Sequence, residues 1–302
     1  MRFHFLIAVC SLSILSSQTT DPNKSGFPHD MIWFNEPKNP QPGVVHKGYH
    51  SAAMDKEVGY NIYLPPGYEA GSQRYPVVYW LHGRNNTESS DSYPVQYLAD
   101  GIAGGKLPPT ILVYASGGSQ TNYCDSYDGK YMAETTVIKE LIPHIDKNYR
   151  TIASRDGRAL QGMSMGGFGA MRLALKYPDL FTSVVAFAGG YRRPEELDVN
   201  PHPSYAEMFH SDKEIFRENH PETWARRNVA KIRGRLAIQI YVGNQDPGLA
   251  GNRHMHALLD ELKIPHGYQE FDGIAHNLKL LAANVKTENF EIAARSFAKH
   301  GR

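Results

Sequence analysis

One serine of this chain stands among glycines. The stretch Gly162-Met163-Ser164-Met165-Gly166 has the pattern Gly-x-Ser-x-Gly and lies between "RALQG" and the helix-like run "FGAMRLALKYP". Glycines two residues before and after a residue permit a turn in which larger side chains would collide. Such a turn presents the hydroxyl of Ser164 at its tip, where a neighbouring base can activate it. The residue types and their spacing therefore predict nucleophilic chemistry at Ser164.

The flanks of this turn are those of a nucleophile elbow. A predicted strand ends at Gly162 and a predicted helix begins shortly after Ser164, which is the context that the motif requires. The free N–H groups at the start of the helix also favour negative charge near the serine. A phosphate-binding loop is the competing interpretation, but the stretch lacks the lysine of that motif.

The base and the acid that a serine nucleophile needs are expected after it, in the order serine, acid, histidine. His276 follows a predicted strand, in "FDGIAHN", whereas the other histidines after Ser164 fall in helices, in an insertion, before a strand or in the tail. Asp246 follows another predicted strand, in "YVGNQDPG", and a helix N-cap is its structural alternative. We predict a triad of Ser164, Asp246 and His276.

Backbone N–H groups must stabilise the oxyanion that forms when a serine attacks a carbonyl. One donor is expected from Met165, the residue after the nucleophile. The other is expected from Arg84, in the loop after the apolar run "YPVVYWLHG". His82 lies in the same segment, but its place on an early strand indicates a structural role rather than that of the base.

Apolar runs without polar alternation recur along the chain and alternate with stretches of helical periodicity. Such runs are typical of strands covered on both faces. The alternation implies βαβ crossovers, an α/β fold and a mostly parallel central sheet with helices on both faces. After a first strand that begins at Tyr60, further strands are predicted at 75–83, 110–116, 158–162, 183–190, 236–243 and 267–271. Helices are predicted at 134–149, 168–178, 254–263 and 288–300.

The N-terminal residues have a basic start and a short apolar run, followed by small and polar residues at 16–18. We therefore predict a signal peptide at residues 1–18 and a secreted or periplasmic protein, because the run is too short to span a membrane comfortably. Residues 19–50 are expected to form an irregular lead-in, and residues 51–302 one domain with an insertion at about 191–235. If Cys10 leaves with the signal, Cys124 has no disulfide partner and is expected to be a buried or loop thiol.

The composition argues against several classes of partner. The formal net charge is +1, so no strong field attracts nucleic acid or an anionic membrane surface. The histidines of "HMH" at 254–256 lack a convincing third ligand, and neither a metal nor an organic cofactor is expected. The oligomeric state stays open.

Seven stretches of the chain resemble one family: "YNIYLPPGY", "YPVVYWLHG", "ELIPHID", "YRT…R…RALQGMSMGGFGA", "LALKYPDLF", "GNQDPG" and "GIAHN". The sequence is similar to the putative-esterase family, which includes esterase D-like S-formylglutathione hydrolases, feruloyl and acetylxylan esterases, enterochelin esterases and mycolyltransferases. The resemblance covers most of residues 55–300 and implies the α/β-hydrolase fold. By position it implies the same triad and oxyanion donors, and a structural acid at Glu134. Leu278 stands where the family commonly has an aromatic residue.

These features predict a serine carboxylesterase that acts by two-step acyl transfer on a small-molecule or carbohydrate ester. Export argues against S-formylglutathione, an intracellular metabolite, and favours acetyl or feruloyl esters of plant polysaccharide. An acyltransferase that passes the acyl group to a sugar is the main alternative, and a non-catalytic binding module is another. Four aromatic residues could stack on sugar or aryl rings or equally serve as packing residues: Tyr123, Tyr127, Tyr191 and Trp224.

Overall fold

The computed structural model describes residues 31–37, 40–91, 93–197 and 203–300. The predicted signal peptide at 1–18, Cys10 and residues 19–30 of the predicted lead-in lie outside the described residues. Among the described residues, no helix combines the length and the apolar character that a membrane crossing requires.

Eight strands form one sheet in the order β1-β2-β4-β3-β5-β6-β7-β8. The strands are β1 Val44–Ser51, β2 Lys56–Tyr63, β3 Val77–Leu81, β4 Ile111–Ala115, β5 Arg158–Met163, β6 Ser183–Phe187, β7 Ala237–Gly243 and β8 Gly267–Phe271. β2 pairs antiparallel with β1 and with β4, whereas every pairing from β4 through β8 is parallel. The prediction of a mostly parallel sheet is confirmed.

Helices connect the strands and cover both faces of the sheet. They are α1 Tyr93–Ala103, α2 Ala133–Thr135, α3 Ile142–Asn148, α4 Met165–Lys176, α5 Pro203–Phe209, α6 Lys213–Glu218, α7 Pro221–Arg227, α8 Val229–Ile232, α9 Leu249–Glu261, α10 Leu278–Val285 and α11 Glu288–His300. A π-helical segment, Thr136–Leu141, joins α2 to α3, so that 133–148 is one continuous helical stretch.

Every residue of β3 is buried, and its alternate side chains enter two different cores. Val77, Tyr79 and Leu81 belong to the core that also contains buried residues of α3, α4 and α9. Val78 and Trp80 belong to the core that α1, α10 and α11 complete. A strand with apolar neighbours on both faces needs no polar alternation, which explains the apolar runs in the sequence.

The irregular lead-in predicted for residues 19–50 is wrong at its end, because residues 44–50 form most of β1. β1 is an edge strand whose side chains are largely exposed, so it lacks the apolar pattern by which a strand is recognised. Its backbone pairs with β2 from Val44 opposite Tyr63 to Ser51 opposite Lys56. The pairing, and not the burial of its side chains, defines this strand.

The insertion predicted at about 191–235 contains the four short helices α5 to α8 in its described part. It packs against the helix that follows the predicted nucleophile. Phe216 of α6 is stacked on Phe168 of α4, with ring centroids 6.2 Å apart and an interplanar angle of 9°. His220, which caps α7, contacts the edge of the same Phe168 ring.

Candidate active site

Ser164 occupies a strained turn between β5 and α4. Its φ of 58° and ψ of −115° lie in a region that residues other than glycine rarely adopt. A Cβ on Gly162 would lie 2.5 Å from the carbonyl carbon of Gly166. A Cβ on Gly166 would overlap the carbonyl oxygen of Leu81 and lie 2.7 Å from that of His82. The two glycines are therefore required by backbone atoms that cannot rotate away, as the sequence pattern predicts.

The two predicted oxyanion donors belong to segments on either side of Ser164. Met165 is the first residue of α4, so its N–H has no acceptor within the helix. Gly83 lies beside the serine, since a Cβ added to it would be 3.6 Å from the Cβ of Ser164. The next residue is Arg84, whose backbone belongs to the same loop after β3. The arrangement places both loops at the nucleophile, while the donor roles themselves stay a prediction.

Asp246 and His276 form a hydrogen-bonded pair. The Nδ1 of His276 donates to Oδ2 of Asp246 at 2.7 Å, and the N–H of Gly248 donates to Oδ1 at 2.7 Å. The carboxylate is fully buried, whereas 38% of the His276 side chain is exposed. A buried carboxylate with two donors holds the imidazole with its Nε2 unprotonated, which is the form that can accept a proton.

Parallel strands bring these residues to the same end of the sheet, where the strands have their carboxyl ends. β5 leads into Ser164, β7 leads into the loop of Asp246, and β8 leads into the loop of His276. The N–H of Gln245 donates to the carbonyl of Ile274 at 3.0 Å, which joins the last two loops. Among the described hydrogen bonds, none connects Ser164 Oγ to His276. Such bonds are often long in ligand-free enzymes and tighten when substrate binds.

His82 has the structural role that the sequence predicts. Its ring is buried, its Nδ1 donates to the carbonyl of Gly83 at 2.9 Å, and its Nε2 accepts the N–H of Gly117 at 3.4 Å. Burial lowers the pKa of His82 to about 4. The neutral ring thus fixes the loop that carries Gly83 beside Ser164.

A cleft of about 420 Å³ adjoins the turn of Ser164, and its described lining includes no residue of the predicted triad. Gly190, in its wall, donates its N–H to the carbonyl of Ser164 at 3.0 Å. The guanidinium of Arg84 also lines the cleft and donates to Ser204 Oγ of the insertion at 2.8 Å. Burial lowers the pKa of Arg84, and nearby Arg192 adds to this effect. The described lining comprises Arg84, Gly190, Tyr191, Arg192, Glu196, Tyr205, Pro247, Gly248, Ala250 and Gly251.

Sequence reasoning missed the part of this wall that the insertion contributes, above all Arg192, Glu196 and Tyr205. No motif marks these residues, because only the packing of the insertion places them at the cleft. The insertion shares this cleft with the loops that follow β3, β6 and β7.

The four aromatic residues predicted to bind substrate lie in different surroundings in the structure. Tyr123 is fully buried beneath Gly117 and Gly169, so its predicted role is wrong and it is a packing residue. Trp224 packs on the core and beneath the Lys176 and Arg227 side chains, outside the described cleft lining, and its contact with substrate stays a prediction.

The other two aromatic candidates are Tyr191 and Tyr127. Tyr191 lines the cleft but is 1% exposed, with its hydroxyl donating to the carbonyl of Gly167 at 3.4 Å. It therefore contributes little more than its edge to the wall. Tyr127 is 49% exposed and lies beside the ring of His210, outside the described cleft lining. Its contact with substrate stays a prediction.

Two further residues are structural. Glu134 forms ion pairs with Arg172 at 2.5 Å and Lys176 at 2.6 Å on the inner side of α4. These cations lower its pKa against the opposing effect of burial. Cys124 is a free, buried thiol whose pKa burial raises to about 12, so it is not a nucleophile.

Within the described residues, the group of side chains suited to a shared metal ion lies in the second half of α9 and before β8, away from the cleft lining.

A mostly parallel sheet with helices on both faces, and a strained serine at the turn from β5 into α4, define an enzyme of the α/β-hydrolase fold and the serine hydrolase class. The chain belongs to the putative esterase family, whose profile, described as "Putative esterase", matches residues 51–279. The resemblance inferred from sequence motifs is confirmed.

Individual proteins are similar to parts of the chain. The protein named "Endo-1,4-beta-xylanase/feruloyl esterase" of Xylanibacter ruminicola is 38% identical over 165 residues. The match covers 51% of this chain and 22% of that protein, so the chain spans about a fifth of the relative's length.

Solved structures share the fold. A ferulic acid esterase superposes with a TM-score of 0.73 at 24% identity, over 84% of this chain and 98% of that one. An S-formylglutathione hydrolase from Agrobacterium tumefaciens superposes with a TM-score of 0.71 at 20% identity, over 86% of this chain and 98% of that one.

Proposed function

We propose that this enzyme is a secreted serine carboxylesterase that uses Ser164, His276 and Asp246 to hydrolyse acetyl or feruloyl esters of carbohydrates. The observation that carries the proposal is the buried Asp246–His276 pair, joined at 2.7 Å, at the same end of the sheet as the strained Ser164 turn. Each part alone has structural explanations, whereas their combination is that of an acyl-transfer site.

The proposed reaction has two steps. Ser164 Oγ attacks the ester carbonyl while His276 Nε2 accepts its proton, and the N–H groups of Met165 and Arg84 stabilise the oxyanion. The imidazolium then protonates the leaving alcohol, which departs. Water attacks the acyl-enzyme with His276 again acting as base, and the carboxylic acid leaves. Asp246 keeps the imidazole in the productive tautomer and stabilises its cation throughout.

Three observations support the choice of substrate. The relative from Xylanibacter ruminicola is named as a xylanase and feruloyl esterase, and a similar structure is a ferulic acid esterase. The N-terminal residues have the pattern of a signal peptide, which favours an ester met outside the cytoplasm. The cleft of about 420 Å³ is large enough for an acyl group with part of a sugar.

The test is a product screen with purified enzyme. Acetylated and feruloylated xylo-oligosaccharides are compared with p-nitrophenyl acetate, each with and without a free sugar acceptor. Release of acetate or ferulate supports the proposal, whereas a new ester on the acceptor supports the alternative acyltransferase. Hydrolysis of simple aryl esters with no action on either oligosaccharide would contradict the carbohydrate assignment.

The nucleophile is tested in the same assay. Ser164→Ala should reduce kcat for p-nitrophenyl acetate by about 10⁴-fold or more, with an unchanged melting temperature. Ser72→Ala is a matched control, because Ser72 is an exposed serine between β2 and β3. Near-normal turnover by Ser164→Ala would refute the mechanism. The mass of the exported protein reports whether residues 1–18 are removed.

A further inference from the structure

Three metal-ligating side chains meet at a corner that the proposed reaction does not use. His256 and Asp260 lie one turn apart on α9, and His266 precedes β8. The Nδ1 of His256 is 2.7 Å from the Nε2 of His266, and the Nε2 of His256 is 3.7 Å from Oδ2 of Asp260. One ligand atom from each of the three residues lies within 4.8 Å of the others.

Both rings are oriented by contacts outside the cluster. The Nδ1 of His266 donates to the carbonyl of Ile264 at 2.8 Å, so the neutral ring has its lone pair on Nε2, which faces His256. A backbone acceptor on the second ring nitrogen is the usual support of a metal-bound histidine. The ring of His256 is stacked on Tyr268, with centroids 4.3 Å apart and an interplanar angle of 2°.

The pattern "HMH" at 254–256 indicates no third ligand, and the structure explains why. His254 does not belong to the cluster, because its Nε2 lies 3.1 Å from a carboxylate oxygen of Glu222 on α7. The partner of His256 is instead ten residues further along, beyond the turn that ends α9. The nearby carboxylate of Glu270 is already held by Arg253 at 2.7 and 2.8 Å.

We infer that His256, His266 and Asp260 form a binding site for a divalent transition-metal ion of the zinc type. Two imidazole nitrogens and one carboxylate oxygen suit Zn²⁺, whereas Mg²⁺ and Ca²⁺ prefer oxygen ligands alone. Two Zn–N bonds of about 2.05 Å at the tetrahedral angle separate the nitrogens by about 3.3 Å. A small rotation of His256, whose side chain is 37% exposed, opens the present 2.7 Å to that distance. Solvent can complete the coordination.

The position of this site gives it a structural role. α9 follows the loop of Asp246, and β8 precedes the loop of His276. An ion shared by α9 and the segment before β8 links the two elements that adjoin the loops of the proposed acid and base. Because the ion binds the folded chain, it stabilises that chain by mass action and leaves the chemistry unchanged. The inference is independent of the proposed carboxylesterase function.

The test is a calorimetric titration of tag-free protein with ZnCl₂ after removal of metals with EDTA. We expect saturable binding of one ion and a rise in melting temperature of at least about 2 °C at saturation. His256→Gln, His266→Gln and Asp260→Asn should each weaken binding by at least about tenfold. Asp260 is 65% exposed, so its substitution reports on binding even where a histidine variant folds poorly.

His254→Gln is the matched control, since His254 has similar exposure on the same helix and should bind zinc as the unmodified protein does. Absence of saturable binding by the unmodified protein overturns the inference. So does unchanged affinity in Asp260→Asn together with either folded histidine variant, because the zinc would then be bound elsewhere on the chain.

Discussion

Replacing Asp246 by asparagine tests how the active site holds the imidazole of His276. In the native protein Oδ1 of Asp246 accepts the N–H of Gly248 and Oδ2 accepts Nδ1–H of His276, both at 2.7 Å. An asparagine must keep its carbonyl oxygen toward Gly248, because its NH₂ group there would face another donor. The NH₂ group then points at Nδ1 and donates to it.

This reversal changes the tautomer of His276. With Nδ1 as the acceptor, the ring proton moves to Nε2, which can no longer accept the proton of Ser164. The side chain at position 246 is fully buried, so water cannot restore the native arrangement. The loss expected for a wrong tautomer is about 10⁴-fold in kcat, or about 5 kcal/mol of barrier.

The assay is the hydrolysis of p-nitrophenyl acetate, with the melting temperature as the check on folding. Asp272→Asn is the control, because this carboxylate is nearer to His276 in sequence but is exposed and accepts from the Nδ2 of Asn244 at 2.9 Å. Asp246→Asn should lose activity without unfolding, and Asp272→Asn should keep it. A folded Asp246→Asn enzyme within tenfold of normal kcat, or a large loss in Asp272→Asn, would refute the reasoning.

Three further predictions concern the frame around the site. Gly166→Ala should destabilise the fold by about 3 kcal/mol and lower kcat, because the added Cβ overlaps the backbone of β3. Gly71→Ala is the control and should change neither stability nor kcat, because no atom lies nearer than 3.7 Å to the Cβ added there. Burial lowers the pKa of His220 to about 4, so the unfolded chain takes up the proton first as pH falls below about 6.5, and stability is lost. Urea titrations at pH 7 and pH 5 should therefore show that His220→Asn, which keeps a helix cap, loses about 2 kcal/mol less free energy of unfolding over this range than the unmodified protein. An equal loss in the two proteins would contradict this account. Glu134→Gln should lower the free energy of unfolding by about 3 kcal/mol, because it leaves Arg172 buried with a weaker partner. The KM of the folded enzyme should stay unchanged, and a changed KM would place Glu134 in the site.

The central strands could be predicted from the sequence because strands buried on both faces consist mainly of apolar residues. β3, β4 and β6 are entirely buried, and their residues are apolar apart from Ser183, the first residue of β6. β1 escaped prediction because an edge strand depends on backbone pairing, which leaves no apolar signal. Helix α1 was also missed. It contains Gly101, whose Cβ would collide with the side chain of Leu107, so packing requires a residue that a helix otherwise disfavours.

The candidate active site also has residues that the sequence predicts and residues that it does not. Chain order and strand ends were enough to pair Asp246 with His276, because both follow directly from the topology of a parallel sheet. Tyr123 was misjudged because an aromatic side chain gives no indication of whether it faces a cleft or a core. Arg192 of the cleft wall and the meeting of His256 with His266 depend on how an insertion and a turn pack, which no local pattern encodes.

The stacking of Phe216 on Phe168 has a consequence for engineering this enzyme. Helices α5 to α8 have four to seven residues each and are too short to persist alone, so they owe their order to packing on one another and on α4. The same helix α4 begins at the nucleophile. A chimera that replaces the insertion with that of a relative must therefore also replace the residue at position 168. Otherwise a poor fit against Phe168 will shift α4 and, with it, the Ser164 turn at its start.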